Sequence, residues 1–416
     1  MIFSLFVAAL GALWASLALA VPAAARPQHG RPALDLRPRP RWARPGTFSV
    51  PLQSRQDVDA RASAKAAIDA MNTKFYSEAD AIWSPSDPWW LSGVALTGVI
   101  DYMRKTNTAD YLDQVKTIID EQRKAWPAGG GEFRADSTDD TGWWALAMVR
   151  MYDLTGDRAF LDISVEDEAY MYKYWTSSPC GGGMYVDIKA KTYKNAIANQ
   201  LYMKLAASLH NRIANDTLYL SRAKTAWSWL QESGMINSEN LFNDGLAMDS
   251  DGTCFNNNLP VWTYNQGVIL GALVELYLAT NNTAHLSSAQ TIADAVLSPT
   301  SPLLTTTLST DGTSTLTVLT ESGCVPDEPS GCNNDQQIFK GVFAYSLAEL
   351  AAVLSSTGSS TKASSYQAFL KQNAQSARDT ARGKGTDLYD VSWTGPFRNS
   401  TIAKQASAVG LSVACI

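Results

Sequence analysis

Histidine, cysteine, positive charge and strand-like alternation are all scarce in this sequence, and each scarcity excludes something. Three histidines (His29, His210, His285) and five cysteines (Cys180, Cys254, Cys324, Cys332, Cys415) show no paired short spacing, so no metal site and no cofactor are expected. Beyond residues 2–20 nothing is apolar for long enough to span a bilayer. The run Ala406 to Ile416 is too short for an anchor-addition signal of the usual form. Of the 34 Lys and Arg, seven Arg fall in residues 21–56; without that stretch the chain carries a net charge of about −12. Nucleic acid and anionic membrane are therefore poor partners, whereas a neutral, hydroxyl-rich ligand is compatible.

The 416 residues would ordinarily suggest two or three domains, but one toroid or barrel can absorb that length. Residues 2–20 are apolar and uncharged and end Ala18-Leu19-Ala20, which reads as a signal peptide spanning 1–20. A signal anchor is the rival, because the usual positive start is missing. Residues 21–56, rich in Pro and Arg, read as a linker or propeptide, since like charge and Pro oppose a packed core. The remainder, 57–416, reads as a single catalytic domain, expected to be a monomer, secreted and extracellular or wall-associated. Disulfides suit that route. Cys324 and Cys332 flank a short Pro/Gly loop and are the preferred pair; the other three cannot be paired from sequence. Asn215, Asn281 and Asn399 each open a glycosylation acceptor in an expected surface connection.

From residue 57 onward one helix follows another. Thr106-Asn107, Thr155-Gly156, Ala214-Asn215 and Thr280-Asn281 each end an apolar helix at a residue that tolerates the left-handed conformation, with a weaker copy at Thr357-Gly358. Tight helical hairpins follow. The first helix of each later pair is apolar on most faces (Thr141–Leu154, Asn195–Ile213, Gln266–Ala279, Phe339–Leu354) and the second is amphipathic (Leu161–Trp175, Leu220–Leu230, Leu286–Val296, Ser364–Ala381). Adding Ala60–Tyr76, Leu91–Thr106 and a helix near Ile402–Val413 gives about twelve, predicting an all-α (α/α)6 toroid with an inner and an outer ring of six. The alternating Thr315–Leu319 suggests one small β excursion.

The inner helices of such a toroid begin on one rim, and chemistry-bearing residues gather at those starts. Asp139 and Asp140 open the apolar run Trp143 to Leu154. Taken alone, Ser137-x-x-Asp140 reads as a loose capping box. The same rim should also receive Trp89 and Trp90, Asn195, Asp244, Tyr264-Asn265-Gln266 and Asp335-Gln336. Amides and carboxylates bond sugar hydroxyls and aromatic faces stack on sugar rings, although singly each motif could equally cap a helix or fill core.

Together, Asp139-Asp140-Thr-Gly-Trp-Trp, Cys180-Gly-Gly-Gly, Lys194-Asn195-Ala-Ile-Ala-Asn199, Thr263-Tyr-Asn-Gln-Gly267 and Asn334-Asp-Gln-Gln-x-Phe-Lys-Gly341 resemble glycoside hydrolase family 76, the endo-α-1,6-mannanases, over about residues 60–400. The resemblance implies an (α/α)6 fold, α-1,6-linked mannan or mannooligosaccharide as substrate and a retaining mechanism. It puts Asp139 at the nucleophile position and Asp140 at the acid/base position, with Asn195, Asp244, Tyr264, Asn265, Gln266, Asp335 and Gln336 along the sugar subsites; Trp89, Trp90 and Trp143 join them as substrate-binding candidates because of their place beside that rim. Adjacent carboxyls favour the ~5–5.5 Å separation of retaining enzymes over the ~6.5–9.5 Å of inverting ones. The N–H dipoles of a helix start suit a charged Asp139, and that charge plus burial against Trp143 or Trp144 would keep Asp140 protonated. Three rivals share some of these features. They are a wall transglycosylase using the same residues, a glycan-binding wall protein without turnover, and a terpene cyclase suggested by Asp136-x-x-Asp139-Asp140; secretion and the amide-rich rim argue against the last.

Overall fold

Six helices are apolar nearly all round, and burying them on every side requires a second layer around them. The computed structural model describes residues 55–126, 132–309, 312–324 and 332–416, so the proposed leader and nearly all of the Pro/Arg stretch lie outside the described residues. Within them are twelve α-helices: α1 Arg55–Phe75, α2 Trp89–Thr106, α3 Leu112–Gln122, α4 Thr138–Thr155, α5 Arg158–Tyr172, α6 Ala196–Arg212, α7 Leu218–Glu232, α8 Thr263–Thr280, α9 Thr283–Val296, α10 Phe339–Ser356, α11 Ser360–Ser376 and α12 Ile402–Ala414. Each even-numbered helix packs on the next, and α12 returns to α2, closing an inner ring of six. Helices α3, α5, α7, α9 and α11 each pack outside the inner helix before them, and α1 packs on α12. This is the (α/α)6 toroid. Every residue of α6 is buried, whereas α7 buries only a stripe through Tyr219, Ala223, Ala226, Trp227 and Leu230, as inner and outer positions demand.

The hairpin signals act as expected. Asn107, Gly156 and Asn281 cap α2, α4 and α8 in the left-handed conformation, and Asn215 and Gly358 also have positive φ. Asn215, Asn281 and Asn399 are exposed. Sequence reading started α4 at Thr141; the helix starts three residues earlier, which puts both acids inside its first turn. Three two-stranded antiparallel hairpins interrupt the helices: β1 Tyr76–Ser77 with β2 Ile82–Trp83, β3 Leu246–Met248 with β4 Cys254–Asn256, and β5 Leu304–Leu308 with β6 Thr315–Leu319. Only the last strand showed clear alternation. Cys324 is joined to Cys332 and Cys180 to Cys254, and Cys415 is free.

Toward the C-terminal ends of the inner helices the ring is tied by buried charge. Arg212 of α6 grips both Asp153 oxygens of α4 at 2.8 and 2.7 Å and reaches Glu275 of α8 at 3.2 Å. Arg150 of α4 and Lys204 of α6 share Glu349 of α10, and Asp101 of α2 accepts from Arg104 and from the Tyr345 hydroxyl. Five of the six inner helices are cross-linked at the end opposite the acids. No helix among the described residues is long and apolar enough to cross a membrane.

Candidate active site

The first turn of α4 separates two functions that the sequence left overlapping. Ser137, not an aspartate, is its N-cap, accepting the Asp140 N–H at 3.3 Å. The same hydroxyl donates to Asp139 Oδ1 at 2.7 Å. Neither acid is therefore the N-cap, and both remain partly exposed on the rim. Loss of solvation raises the Asp139 pKa, but Ser137 and the main-chain N–H groups of Asp139 and Asp140 pull it back. Asp140 is driven well above the ordinary carboxylate range, first by burial and then by the charge of Asp139, with Asp335 adding to both. One carboxyl of the pair is favoured charged and its neighbour protonated, because two close carboxylates cannot both ionise cheaply.

Asp335 links this pair to a cleft of about 310 Å³ on the same rim, lined also by Asp244, Trp262, Gln336 and Phe339, a size at the low end of small-molecule sites. Its Oδ1 accepts from Trp90 Nε1 at 3.1 Å. Trp90 in turn stacks on Trp143 at 5.6 Å between ring centroids. Tyr264 is stacked on Phe339 at 3.7 Å. Its hydroxyl pKa is pushed well up by burial and by the charges of Asp244, Asp139 and Asp335. Asp244, held by Tyr193, is raised by burial against the opposing hydrogen bonds of Tyr193 and Trp262.

Not every residue expected along the subsites faces the cleft. Trp89 is one that does not: half-buried, it stacks on Trp144 at 4.8 Å and beside Phe133, its Nε1 donates to Gln122, and it is not in the cleft lining. Gln266 is another. It is fully buried, its Oε1 accepting the Phe242 N–H and its Nε2 donating to the carbonyls of Phe242 and Trp262, so its amide braces the loop leading to Asp244. Asn195 caps α6 through the Ala198 N–H. Asn265 is fully buried and its amide has no hydrogen-bond partner among the described residues. Trp143 also borders a separate cavity of about 60 Å³ lower on the ring axis, with Arg150 and Lys204 in its lining.

Sequence reading missed three supports. Glu321, just past β6, accepts the Thr263 N–H and hydroxyl at the start of α8, next to Tyr264; burial pushes its pKa up to about 8. Lys194 is buried and donates to Thr176 Oγ1 at 2.9 Å and to the carbonyls of Pro179 and Gly182 at 2.7 and 2.6 Å. Tyr193 meets Asp244. The signal for Lys194 was present: a cation at the mouth of a helix buried along its whole length must find acceptors.

Comparison with known proteins bears on the whole described body. The profile of Glycosyl hydrolase family 76 matches residues 59–414. A mannan endo-1,6-alpha-mannosidase of Saccharomyces cerevisiae is 26% identical over 72% of this chain and 63% of its own length. One of Candida albicans is 24% identical over 65% of this chain and 60% of its own length. The aligned region thus spans under two thirds of these relatives. An α-1,6-mannanase of a Salegentibacter species, solved as an inactive variant with two consecutive aspartates changed to alanine and bound to α-1,6-mannotetrose, has the same fold. Its TM-score is 0.73 at 22% identity, covering 86% of this chain and 98% of that one.

Proposed function

The chain belongs to glycosyl hydrolase family 76, and from that premise we propose that it is a secreted, retaining glycosidase that cleaves α-1,6-mannosidic linkages in mannan. The observation that carries the reading is the division of labour on α4. Burial raises both carboxyls, but Ser137 and two N–H groups offset part of that rise at Asp139, while Asp140 is driven further up by the charge of Asp139 and is the one favoured protonated. Two further facts support it: the double-aspartate variant of the structural relative is inactive, and the curated relatives are named for this linkage.

Asp139 attacks the anomeric carbon as the bond from that carbon to O6 of the next mannose breaks, and O6 takes the proton of Asp140. Asp140, now a base, takes a proton from water, whose oxygen displaces Asp139 from the sugar. Two inversions give net retention. The Trp262 ring at the cleft offers a stacking face, and Asp244, Asp335 and Gln336 offer acceptors for sugar hydroxyls. Export would remove residues 1–20 and leave 21–56 as a linker to the catalytic body, with Asn215, Asn281 and Asn399 open to glycosylation. The test is the release of reducing ends from linear α-1,6-mannan by the wild type, with anomeric configuration of the first product read by NMR. An inverted first product rejects the double displacement. Adding mannobiose separates hydrolysis from transfer, since transfer lengthens the acceptor.

Ser137 supplies a smaller check. Ser137→Ala removes a donor to Asp139, so the Asp139 pKa rises and the acidic limb of kcat/KM should move to higher pH by up to about one unit. The variant should also lose about 1 kcal/mol of stability with its cap, and Ser137→Thr should restore both.

A further inference from the structure

We propose that Tyr193 is the positioning residue of the Asp244 carboxylate and that the Cys180–Cys254 disulfide holds Tyr193 in place, so that a covalent link outside the cleft sets how tightly the cleft grips a sugar hydroxyl. The inference deepens the mannosidase reading and rests on it.

Asp244 lines the cleft. Its Oδ2 accepts the Tyr193 hydroxyl, and the nearby Trp262 side chain helps to favour its charged form. The direction of the Tyr193 proton is settled by its other neighbour: Asn257 Nδ2 donates to the same hydroxyl at 2.8 Å, which leaves that hydroxyl free to donate only toward Asp244. The main chain is pinned as well. The Ala196 N–H donates to the Asp244 carbonyl at 2.8 Å, and the Asn257 N–H to the Gly245 carbonyl at 3.0 Å. A Cβ on Gly245 would come within 2.5 Å of the Tyr193 oxygen and 2.9 Å of the Asn195 Cα, so the approach of the two segments requires glycine there.

A closed circuit of bonds surrounds this contact. Lys194, next to Tyr193 in sequence, clamps residues 176–182 through Thr176, Pro179 and Gly182. Cys180 in that loop is bonded to Cys254. Three residues on, Asn257 returns to Tyr193. Each segment touching Asp244 is therefore anchored to the next, and the disulfide is the covalent member of the ring.

The carboxylate accepts only, so it selects ligands that present hydroxyl donors, and it does so best when ionised. Burial already raises its pKa against the hydrogen bonds of Tyr193 and Trp262. The other titratable groups acting at this place are Tyr264 and, on the same cleft, Asp335. Removing the Tyr193 hydroxyl therefore raises the Asp244 pKa further, and the ligand meets a partly neutral acid at low pH.

The experiment is steady-state kinetics on linear α-1,6-mannooligosaccharide from pH 4 to 8 for wild type, Tyr193→Phe, Asn257→Ala, Asp244→Asn and the double variant Cys180→Ser with Cys254→Ser. Tyr193→Phe should raise KM by about ten- to a hundredfold, the worth of a hydrogen bond to a charged group, with kcat within about threefold. The acidic limb of its kcat/KM should lie at higher pH, a shift that a merely structural defect would not produce, whereas in Asp244→Asn the part of that limb due to Asp244 should be gone and only the part set by Asp139 remain. Asn257→Ala and the double variant should raise KM in the same sense. Wild-type KM and pH profile in Tyr193→Phe overturn the positioning role, and wild-type KM in the double variant overturns the part given to the disulfide. If the wild type turns over no mannan, the mannosidase reading fails first. Calorimetric binding of α-1,6-mannotriose then tests Tyr193 separately, and binding undiminished by Tyr193→Phe, or absent in the wild type, overturns the proposal.

Discussion

Asp139→Asn lowers kcat on linear α-1,6-mannan by at least about a thousandfold while leaving the melting temperature near that of the wild type. The magnitude follows from the role: without the nucleophile no glycosyl-enzyme forms, and what survives is binding and acid assistance. The fold should not notice, because the α4 cap is Ser137 and Asn keeps the volume of Asp. Asp140→Asn behaves differently. General acid catalysis contributes about 10²–10⁴-fold, and the loss should nearly disappear in the first step for an aryl α-mannoside whose leaving group needs no proton. The pH profile separates them too. Activity of the wild type rises as Asp139 ionises and falls at higher pH as Asp140, held well above the ordinary carboxylate range, gives up its proton; the alkaline limb should be missing in Asp140→Asn. Azide supplies the stereochemical check. With Asp139→Ala it attacks from the vacated face and yields an inverted glycosyl azide, whereas with Asp140→Ala it attacks the glycosyl-enzyme and yields the retained one. Full activity in either Asn variant removes that residue from the scheme.

Arg212→Met has the largest effect on stability, a loss of about 3–5 kcal/mol, measured by urea unfolding at pH 7. Arg212 is fully buried, and its guanidinium is shared by Asp153 and Glu275, so truncation takes from two buried carboxylates the cation that bonds both. Arg212→Lys should recover only part, since an ammonium cannot match both Asp153 oxygens in a fork. The effect depends on pH with a definite sign. Burial would raise the Asp153 pKa, but Arg212 outweighs it and holds the group below its ordinary value. Glu349 is likewise lowered to about 2, burial being outweighed by Arg150 and Lys204. Carboxylates of depressed pKa stabilise the fold above their unfolded values and lose that contribution as pH falls through the folded ones. The wild type should therefore weaken between about pH 4.5 and 2, and the gap between it and Arg212→Met should narrow over the same range, because Asp153 without Arg212 can take a proton and the paired one resists.

Local chain stops were legible because few residues accept positive φ: Asn107, Gly156 and Asn281 announced three helix ends, and all-round apolar helices announced an inner ring. The adjacency of Asp139 and Asp140 at the head of such a helix was equally plain. What could not be seen is what depends on meeting across the ring. Cys180 and Cys254 are 74 residues apart, and nothing local couples them. Tyr193 and Asp244 meet through one short bridge between loops. Trp89 and Gln266 sit in rim motifs beside residues that do face the cleft, and one turn of backbone decides which way each amide or ring points. The charges of the buried network were visible as Arg150, Arg212, Glu275 and Glu349 inside apolar helices, but which pairs with which is set by helix rotation.

Closure of the ring by α12 has a consequence for synthesis. Its neighbours α2 and α10 and its outer cover α1 are separated from it by up to more than three hundred residues, so these contacts carry the heaviest loop-closure cost in the chain and form last. Until Ile402–Ala414 emerges from the ribosome, a groove between α2 and α10 stays unfilled, leaving open the surface at Gly98 and Gly341 that Val409 and Gly410 later meet. A nascent chain in that state is a client for chaperones, and any truncation that removes the last helix leaves a five-sixths ring with an unsealed seam rather than a smaller working enzyme.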